Sequence, residues 1–350
     1  MKTPQMIGVL GVVGLFVAIL IAAAVFDPPE GVTAAPKAHL GSPERVSLAP
    51  APFGFLPEAK AALFTGQAHS SKAISAPATA VISPKDLATI DGISGTFAKL
   101  GYDLDRVRFD GVRVPRLFVA TLPQGLDTVR EVKVRKALFF KTVLPLILKV
   151  NEEILADRQR LWRLRSQKNL GKTFAAEDRL WLLVTGERYG VDPENLKGLL
   201  ERVDVVSPSL ALAQAASESG WGQSRFAREG NAMFGEWTFS TTAGIAPLKR
   251  EAGKTHRVRS FNSLRDSIRA YVHNLNTHRA YREFRDSRAQ MRREGGPLDG
   301  IVLAGTLTRY SERGMDYVYD IRDIIQINRL RHLDDARLSN ADIPALQSLI

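Results

Sequence analysis

Ser207-Pro208-Ser209-Leu210-Ala211-Leu212-Ala213-Gln214-Ala215-Ala216-Ser217-Glu218-Ser219-Gly220-Trp221-Gly222 decides the reading of this chain. Ser207 is a suitable N-cap, and Pro208 fits the first helical position, where its missing N–H costs nothing. Gly220 and Gly222 supply the stop. Between them, Leu210 to Ala216 is Leu and Ala throughout apart from Gln214, which describes a buried helix and no solvated face. Glu218 then falls in the last turn, where the negative end of the helix dipole disfavours an ionised carboxylate. Gln214, Ala215 and Ala211 lie below it on the same face. A carboxyl group so placed, partly desolvated, should keep its proton near neutrality. That is the state from which a carboxyl acts as a general acid, as cleavage of a glycosidic bond requires.

Working outward, the pattern before and after this helix differs. Helical spacing predicts Asp86 to Leu100, then Val132 to Gln167 with Phe139, Val143, Leu146, Val150, Ile154 and Leu161 on one face. Pro145 should kink that long helix or divide it. Ala175 to Tyr189, closed by Gly190, and Pro193 to Arg202 are further helices, while Val112 to Leu122 alternates as a strand interrupted by Pro115. After Glu218, Leu248 to Glu251 and His256 to Phe261 flank Ala252-Gly253-Lys254 as a β-hairpin. Ser263 to Phe284, Ile301 to Leu307 and Tyr317 to Leu330 return to helix, and the tail from Arg331 reads as loose. The fold class is α+β, mostly helical, with a small β lobe inserted just after the carboxylate.

The N-terminus has another character. Met6 to Phe26 is apolar without a charge and, as a helix, would be roughly 30 Å long, enough to cross a bilayer core. Lys2 precedes it and Asp27 and Glu30 follow, so the positive-inside rule places residues 1–5 in the cytoplasm and the rest outside. Residues 6–26 are read as an uncleaved anchor in preference to a cleaved signal peptide. Residues 27–84, rich in Ala, Pro, Ser and Gly, read as a flexible linker. Residues 85–190 form a helical extension, 191–332 the catalytic domain and 333–350 a loose tail. This arrangement puts the domain in the periplasm on an inner-membrane anchor.

The chain has 350 residues, 45% hydrophobic and 24% charged, enough for a sizeable core. No Cys is present, which excludes disulfides, thiol nucleophiles and Cys-based zinc sites. The net charge of +11 suits anionic partners. On an exported body these are phospholipid headgroups and the peptide carboxylates of the cell wall, not nucleic acid.

A helix ending in Glu and faced by a β-hairpin is the arrangement of lysozyme-like hydrolases. Gln214 to Gly222, Ser224-Arg225-Phe226-Ala227 and Asn231-Ala-Met-Phe234-Gly235 together resemble the glucosaminidase domain of glycoside hydrolase family 73. Arg259-Ser-Phe261-Asn-Ser263, Ser267 to Tyr271, and Tyr310 with Tyr317 are similar to that family's later pattern. Lys136 to Pro145, Asn151 to Leu155 and Asn274 to Tyr281 resemble its bacterial Bax-like subgroup. The resemblance covers roughly Val112 to Leu330. It implies hydrolysis of the β-1,4 bond between N-acetylglucosamine and N-acetylmuramic acid in peptidoglycan, with no cofactor and no metal. It implies Glu218 as the acid and a second carboxylate on the hairpin, best matched by Glu251, with Glu236 as the rival. It implies Tyr310 as a further catalytic group, and Tyr317 as lining the cleft. Trp221, Phe234 and Trp237 offer rings that could stack on sugar faces, although Trp221 also reads as a core anchor.

Other classes fit less well. A lytic transglycosylase shares the helix-end Glu but usually follows it with a Gly-Ala-x-Gly-Leu-Met-Gln stretch, where this chain has Asn231-Ala-Met-Phe-Gly235. A zinc amidase needs converging ligands, and among six His the pair His273 and His278 is poorly spaced for one metal. A non-catalytic wall-binding protein of the same fold is opposed by the presence of Glu218. No Gly-x-Ser-x-Gly elbow supports a serine hydrolase.

Overall fold

A computed structural model describes residues 87–238, 244–246 and 257–340, the side chains of 237 and 238 excepted. The predicted anchor and linker, at 6–26 and 27–84, therefore lie outside the described residues. Among the described residues, no helix is long and apolar enough to cross a membrane.

Helix α1 (Ile90–Lys99) starts at Thr89, whose hydroxyl accepts from the Gly92 N–H. Helix α2 (Leu104–Phe109) is capped by Asp103, whose carboxylate accepts from the Asp105 and Arg106 N–H groups. The strand expected at Val112 to Leu122 does not form. Val114 is bridged in parallel to Leu338 and the rest forms no strand, the Leu117 N–H turning back onto the Pro115 carbonyl at 2.8 Å, while Val114, Leu117, Val119 and Leu122 are buried. The alternation is real, but pairing stops after one residue at Pro115, which has no N–H to donate.

Helix α3 (Val132–Asn169) runs unbroken for 38 residues, so Pro145 does not divide it. Residues Leu138, Phe139 and Phe140, and then Thr142 to Leu148, are buried. Packing on that scale, about 1.5–3 kcal/mol for each large apolar side chain, outweighs the roughly 3 kcal/mol proline penalty. Helix α4 (Ala176–Tyr189) closes at Gly190 in the left-handed conformation, as expected, and α5 (Leu196–Arg202) is capped by Asn195.

Helix α6 (Pro208–Ser219) is the predicted buried helix, with every residue from Pro208 to Ala216 inside. Its small side chains let neighbours approach on several sides. Ser207 does not cap it through its side chain. Asp334, distant in sequence, does so instead: one oxygen accepts from the Ser209 N–H at 2.8 Å, the other from the Ser209 hydroxyl at 2.8 Å. The loop entering α6 is pinned by Asp204, which meets Arg292 at 3.0 Å, Arg158 at 3.5 Å and Arg288 at 3.9 Å.

Helix α7 (Arg225–Gly230) follows, capped by Ser224. Strand β1 (Trp237–Thr238) pairs antiparallel with β2 (Arg257–Val258), Trp237 opposite Val258, and Ile245 bridges to Val258 as well. Strand β2 falls within the later strand of the expected hairpin, but its partners at Trp237–Thr238 and Ile245 lie outside that hairpin; Leu248 to Glu251 lies outside the described residues. The single helix expected over Ser263 to Phe284 is two. Helix α8 (Leu264–Thr277) ends where His278 turns extended, a 3₁₀ turn spans Arg279–Tyr281, and α9 (Arg282–Arg293) begins anew. The His278 ring accepts from the Ala280 N–H at 3.3 Å and so caps the restart. Helices α10 (Gly300–Ala304) and α11 (Met315–Ile327) are shorter than expected, and a 3₁₀ turn follows at Leu330–Leu333. The tail is not loose through residue 340: Leu333, Ala336 and Leu338 are buried and Asp334 caps α6. Helices α3, α10, α11 and the Leu330–Leu333 turn all pack on α6, which makes it the axis of a mostly helical domain with little strand.

Candidate active site

The site is built at the C-terminal tip of α6. Gly220, Trp221 and Gly222 take φ of 57°, 60° and 77°, three left-handed residues in a row that turn the chain sharply away. The Trp221 N–H donates to the Ala216 carbonyl at 2.8 Å, closing the helix. Gly222 is required twice over, because a Cβ there would lie 2.9 Å from Leu126 Cδ2. Ser219 ties the tip internally: its hydroxyl donates to the Ala215 carbonyl at 2.6 Å and accepts from the Gly222 N–H at 2.9 Å.

Glu218 is thereby held half-buried against α11. The Tyr317 hydroxyl donates to Glu218 Oε1 at 2.9 Å. One helical turn below, Gln214 Nε2 donates to the Tyr317 hydroxyl at 2.8 Å, and the Tyr271 hydroxyl donates to Gln214 Oε1 at 2.6 Å. Three elements, α6, α8 and α11, are thus joined by one chain of hydrogen bonds ending on the carboxylate. Rings pack behind it: Tyr310 lies parallel to Tyr317 with centroids 5.4 Å apart, and Tyr281 lies 5.8 Å from Tyr310.

Burial pushes the Glu218 carboxyl up to about 7, against the opposing pull of the Tyr317 hydrogen bond and the Arg313 charge. Its position at the negative end of α6 works in the same direction as burial. Burial also raises Tyr271, Tyr310 and Tyr317 well above the ordinary phenol range, and Tyr281 to about 12. All of these tyrosines are therefore neutral donors near neutrality. The Tyr281 phenol senses both Glu218 and Glu236. Glu236 has its Oε1 buried with no hydrogen-bond partner among the described residues, and Oε2 sits 3.5 Å from Arg259. Burial raises its carboxyl too, opposed by Arg259.

Of the residues expected from sequence, Glu218, Tyr310 and Tyr317 are brought together. Glu251 and the side chain of Trp237 lie outside the described residues; the Trp237 backbone is in β1. Two of the expected sugar platforms are packed instead. Phe234 is buried, its ring parallel to Tyr271 at 3.8 Å, so it backs that tyrosine. Trp221 has Phe140 and Phe139 edge-on at 5.3 and 6.0 Å and the Lys136 ammonium over its ring at 4.3 Å. The core-anchor reading of Trp221 matches this placement. Gln214, Tyr271, Tyr281 and Arg313 were not assigned roles from sequence. Gln214 carried a signal, as the single polar side chain in an apolar run that had to find partners inside.

A protonated carboxyl at a helix tip, backed by phenols that hold its charge once the proton leaves, is equipped to protonate a leaving oxygen. Set in a mostly helical body, consistent with a lysozyme-like α+β domain, this is the arrangement a glycoside hydrolase would use. Comparison with known proteins narrows the class. Residues 194–330 match the glucosaminidase family model, described as mannosyl-glycoprotein endo-β-N-acetylglucosaminidase. Protein bax of Escherichia coli (strain K12) is 38% identical over 191 residues, 52% of this chain and 66% of that protein. The match thus spans just under two thirds of that relative's length. No solved structure matches the chain. The chain carries a Bax-like domain of the glucosaminidase family.

Proposed function

We propose that the protein is a peptidoglycan hydrolase, an endo-β-N-acetylglucosaminidase cleaving the β-1,4 bond between N-acetylglucosamine and N-acetylmuramic acid. The observation that carries this is the Glu218 carboxyl, pushed up to about 7 at the tip of α6 with Tyr317 donating to Oε1. Glu218 gives its proton to the glycosidic oxygen as the C1–O bond breaks, the bonding pair leaving with that oxygen. The residual carboxylate keeps the Tyr317 hydrogen bond. C1 is attacked either by water, whose proton passes to a second carboxylate, or by the substrate's own 2-acetamido oxygen. Glu251, on the hairpin by resemblance, and Glu236, which shares Tyr281 with Glu218, are the candidates for that second carboxylate. Tyr310 supports Tyr317 from behind. Residues 6–26 would hold the domain at the inner membrane.

The test is mass spectrometry of purified peptidoglycan fragments after incubation with the protein. Hydrolysis yields a reducing-end N-acetylglucosamine; an anhydro product one water lighter would assign transglycosylase chemistry instead. Glu218→Gln should lower the rate by at least about 10²-fold, the lower range for loss of a positioned acid. Unchanged activity in that variant would remove Glu218 from the role. The anomer released first separates the two routes at C1, inverted for direct water attack and retained for acetamido participation.

A further inference from the structure

We infer that Gln214 and Tyr271 are positioning residues that fix which oxygen of Glu218 carries the transferable proton, namely Oε2. The inference rests on Glu218 being the acid of the proposed reaction, and follows from the polarity of the chain of hydrogen bonds. Tyr271 has one proton and places it on Gln214 Oε1 at 2.6 Å. That fixes the amide, so its Nε2 faces Tyr317 and donates to the hydroxyl oxygen at 2.8 Å. Tyr317, already accepting there, turns its single proton onto Glu218 Oε1 at 2.9 Å. An oxygen that receives an O–H in this way is the carbonyl-like oxygen of a neutral carboxyl group. The acid's own proton is left to Oε2.

The polarity is locked from both ends. Gln214 is fully buried and Tyr271 is 1% exposed. Tyr271 cannot swing away, because Phe234 lies flat against it at 3.8 Å. A reversed amide would invert every link: Tyr317 would donate to Gln214 and present a lone pair to Glu218, drawing the acid's proton onto Oε1 and into the protein. The amide orientation thus decides whether the proton is available for transfer. Once it is transferred, the same polarity leaves Tyr317 donating to the new carboxylate.

The other groups facing Glu218 are Arg313 from the loop before α11, Tyr310 from the loop after α10, Tyr281 from the 3₁₀ turn, and, through Tyr281, Glu236 ahead of β1. None of these supplies the direction that Gln214 and Tyr271 impose, since none bonds to Tyr317 between it and α8.

The deciding experiment is a carbon-13 NMR titration of the Glu218 carboxyl in the full chain, with the signal assigned by its loss in Glu218→Gln. Wild type, Tyr271→Phe, Gln214→Leu and, as a scale, Tyr317→Phe are compared. Tyr271→Phe keeps the ring that stacks on Phe234, so it carries the test if Gln214→Leu fails to fold. Loss of an upstream donor weakens Tyr317's donation to the carboxylate. The Glu218 midpoint should therefore rise by about 0.3 unit in Tyr271→Phe and Gln214→Leu, from 10–30% weakening of a charge-assisted bond. It should rise by about one unit or more in Tyr317→Phe. With reversed polarity Gln214→Leu would free Tyr317 to donate and the midpoint would fall, while Tyr271→Phe would leave Tyr317 donating to Gln214 and would not raise it. A midpoint lowered or unmoved in Tyr271→Phe overturns the inference. The titration needs no substrate, so it stands or fails apart from the peptidoglycan assay.

Discussion

Replacing Glu218 by Gln should make the folded protein more stable above neutral pH and leave it unchanged in acid. Gln is a close copy of the neutral acid: its carbonyl can still accept the Tyr317 hydroxyl proton, and it cannot ionise. The wild-type carboxyl sits at about 7 when folded, against 4.5 for the unperturbed group. Below the lower value it is protonated in both the folded and the unfolded chain, and contributes nothing pH-dependent. Between the two values the unfolded chain has lost this proton and the folded chain retains it, so stability falls as pH rises. Above about 7 the loss is complete. At about 1.4 kcal/mol per unit, the shift corresponds to about 3 kcal/mol, reduced to about 2 kcal/mol because water reaches a half-buried carboxyl.

Equilibrium urea unfolding of both proteins, at intervals from roughly pH 4 to 8.5, measures this as a difference between the two free energies. The difference should be near zero at the acid end, open through the interval between the two pKa values, and level off with Gln the more stable by about 2 kcal/mol. A difference that stays flat with pH, or that favours the wild type at high pH, would refute the claim that the tip of α6 holds a strained acid. Because the comparison is a difference, other titrating groups in the chain cancel as long as the two native structures agree.

The rate of wall hydrolysis should fall with rising pH around a midpoint near 7, as Glu218 loses the proton it must donate; a midpoint near 4.5, the unperturbed value, would mean the site does not desolvate it. Asp334→Ala removes the acceptor for the Ser209 N–H and hydroxyl and should destabilise the protein by about 2 kcal/mol in urea unfolding, typical of a lost buried cap. Gly222→Ala meets both a positive φ and Leu126 at 2.9 Å, so it should cost about 2–3 kcal/mol, part of it recovered by adding Leu126→Ala.

What sequence could reach follows from where each signal is stored. Helix α6 was legible end to end, because Pro208, the Leu and Ala run and the two glycines act through their immediate neighbours. Even there the cap was misread, since Asp334 supplies it from the far end of the chain and Ser207 does not. Amphipathic spacing carried on through 277–284 without interruption, so the break at His278 was hidden; only its imidazole capping Ala280 marks it. The tail at 331–340 has no period at all, and its order comes from single side chains such as Leu333 and Leu338 finding distant partners. Residues 112–122 failed in the opposite sense, with the period of a strand but a partner at Val114 alone. In the site, Glu218 could be read locally as a carboxyl at a helix end. Tyr310 and Tyr317 came through family resemblance, and Tyr271 became visible as a partner of Gln214 only when α8 was laid beside α6.

Trp221 tests how far the packing argument can be pressed, because its neighbourhood invites a role in sugar binding. An indole that stacks on a sugar needs an open face. Here Lys136 lies over the ring at 4.3 Å, and Phe139 and Phe140 press on it edge-on. The residue also takes φ of 60°, which costs a non-glycine residue about 1 kcal/mol or more. Such strain persists only where packing outweighs it. Trp221→Ala should therefore lose about 2 kcal/mol of stability, below the range for a fully buried aromatic because the indole is only partly buried against the core. The KM of the molecules that remain folded should not change. Trp221→Gly relieves the backbone strain and should be less damaging than Ala by a fraction of that loss, although it frees the turn that aims Glu218. Urea unfolding and substrate saturation curves on the same preparations separate the two roles. Should Trp221→Ala keep wild-type stability while KM rises several-fold, the indole belongs to the sugar-binding surface, and the tip of α6 is held by something other than the contacts described.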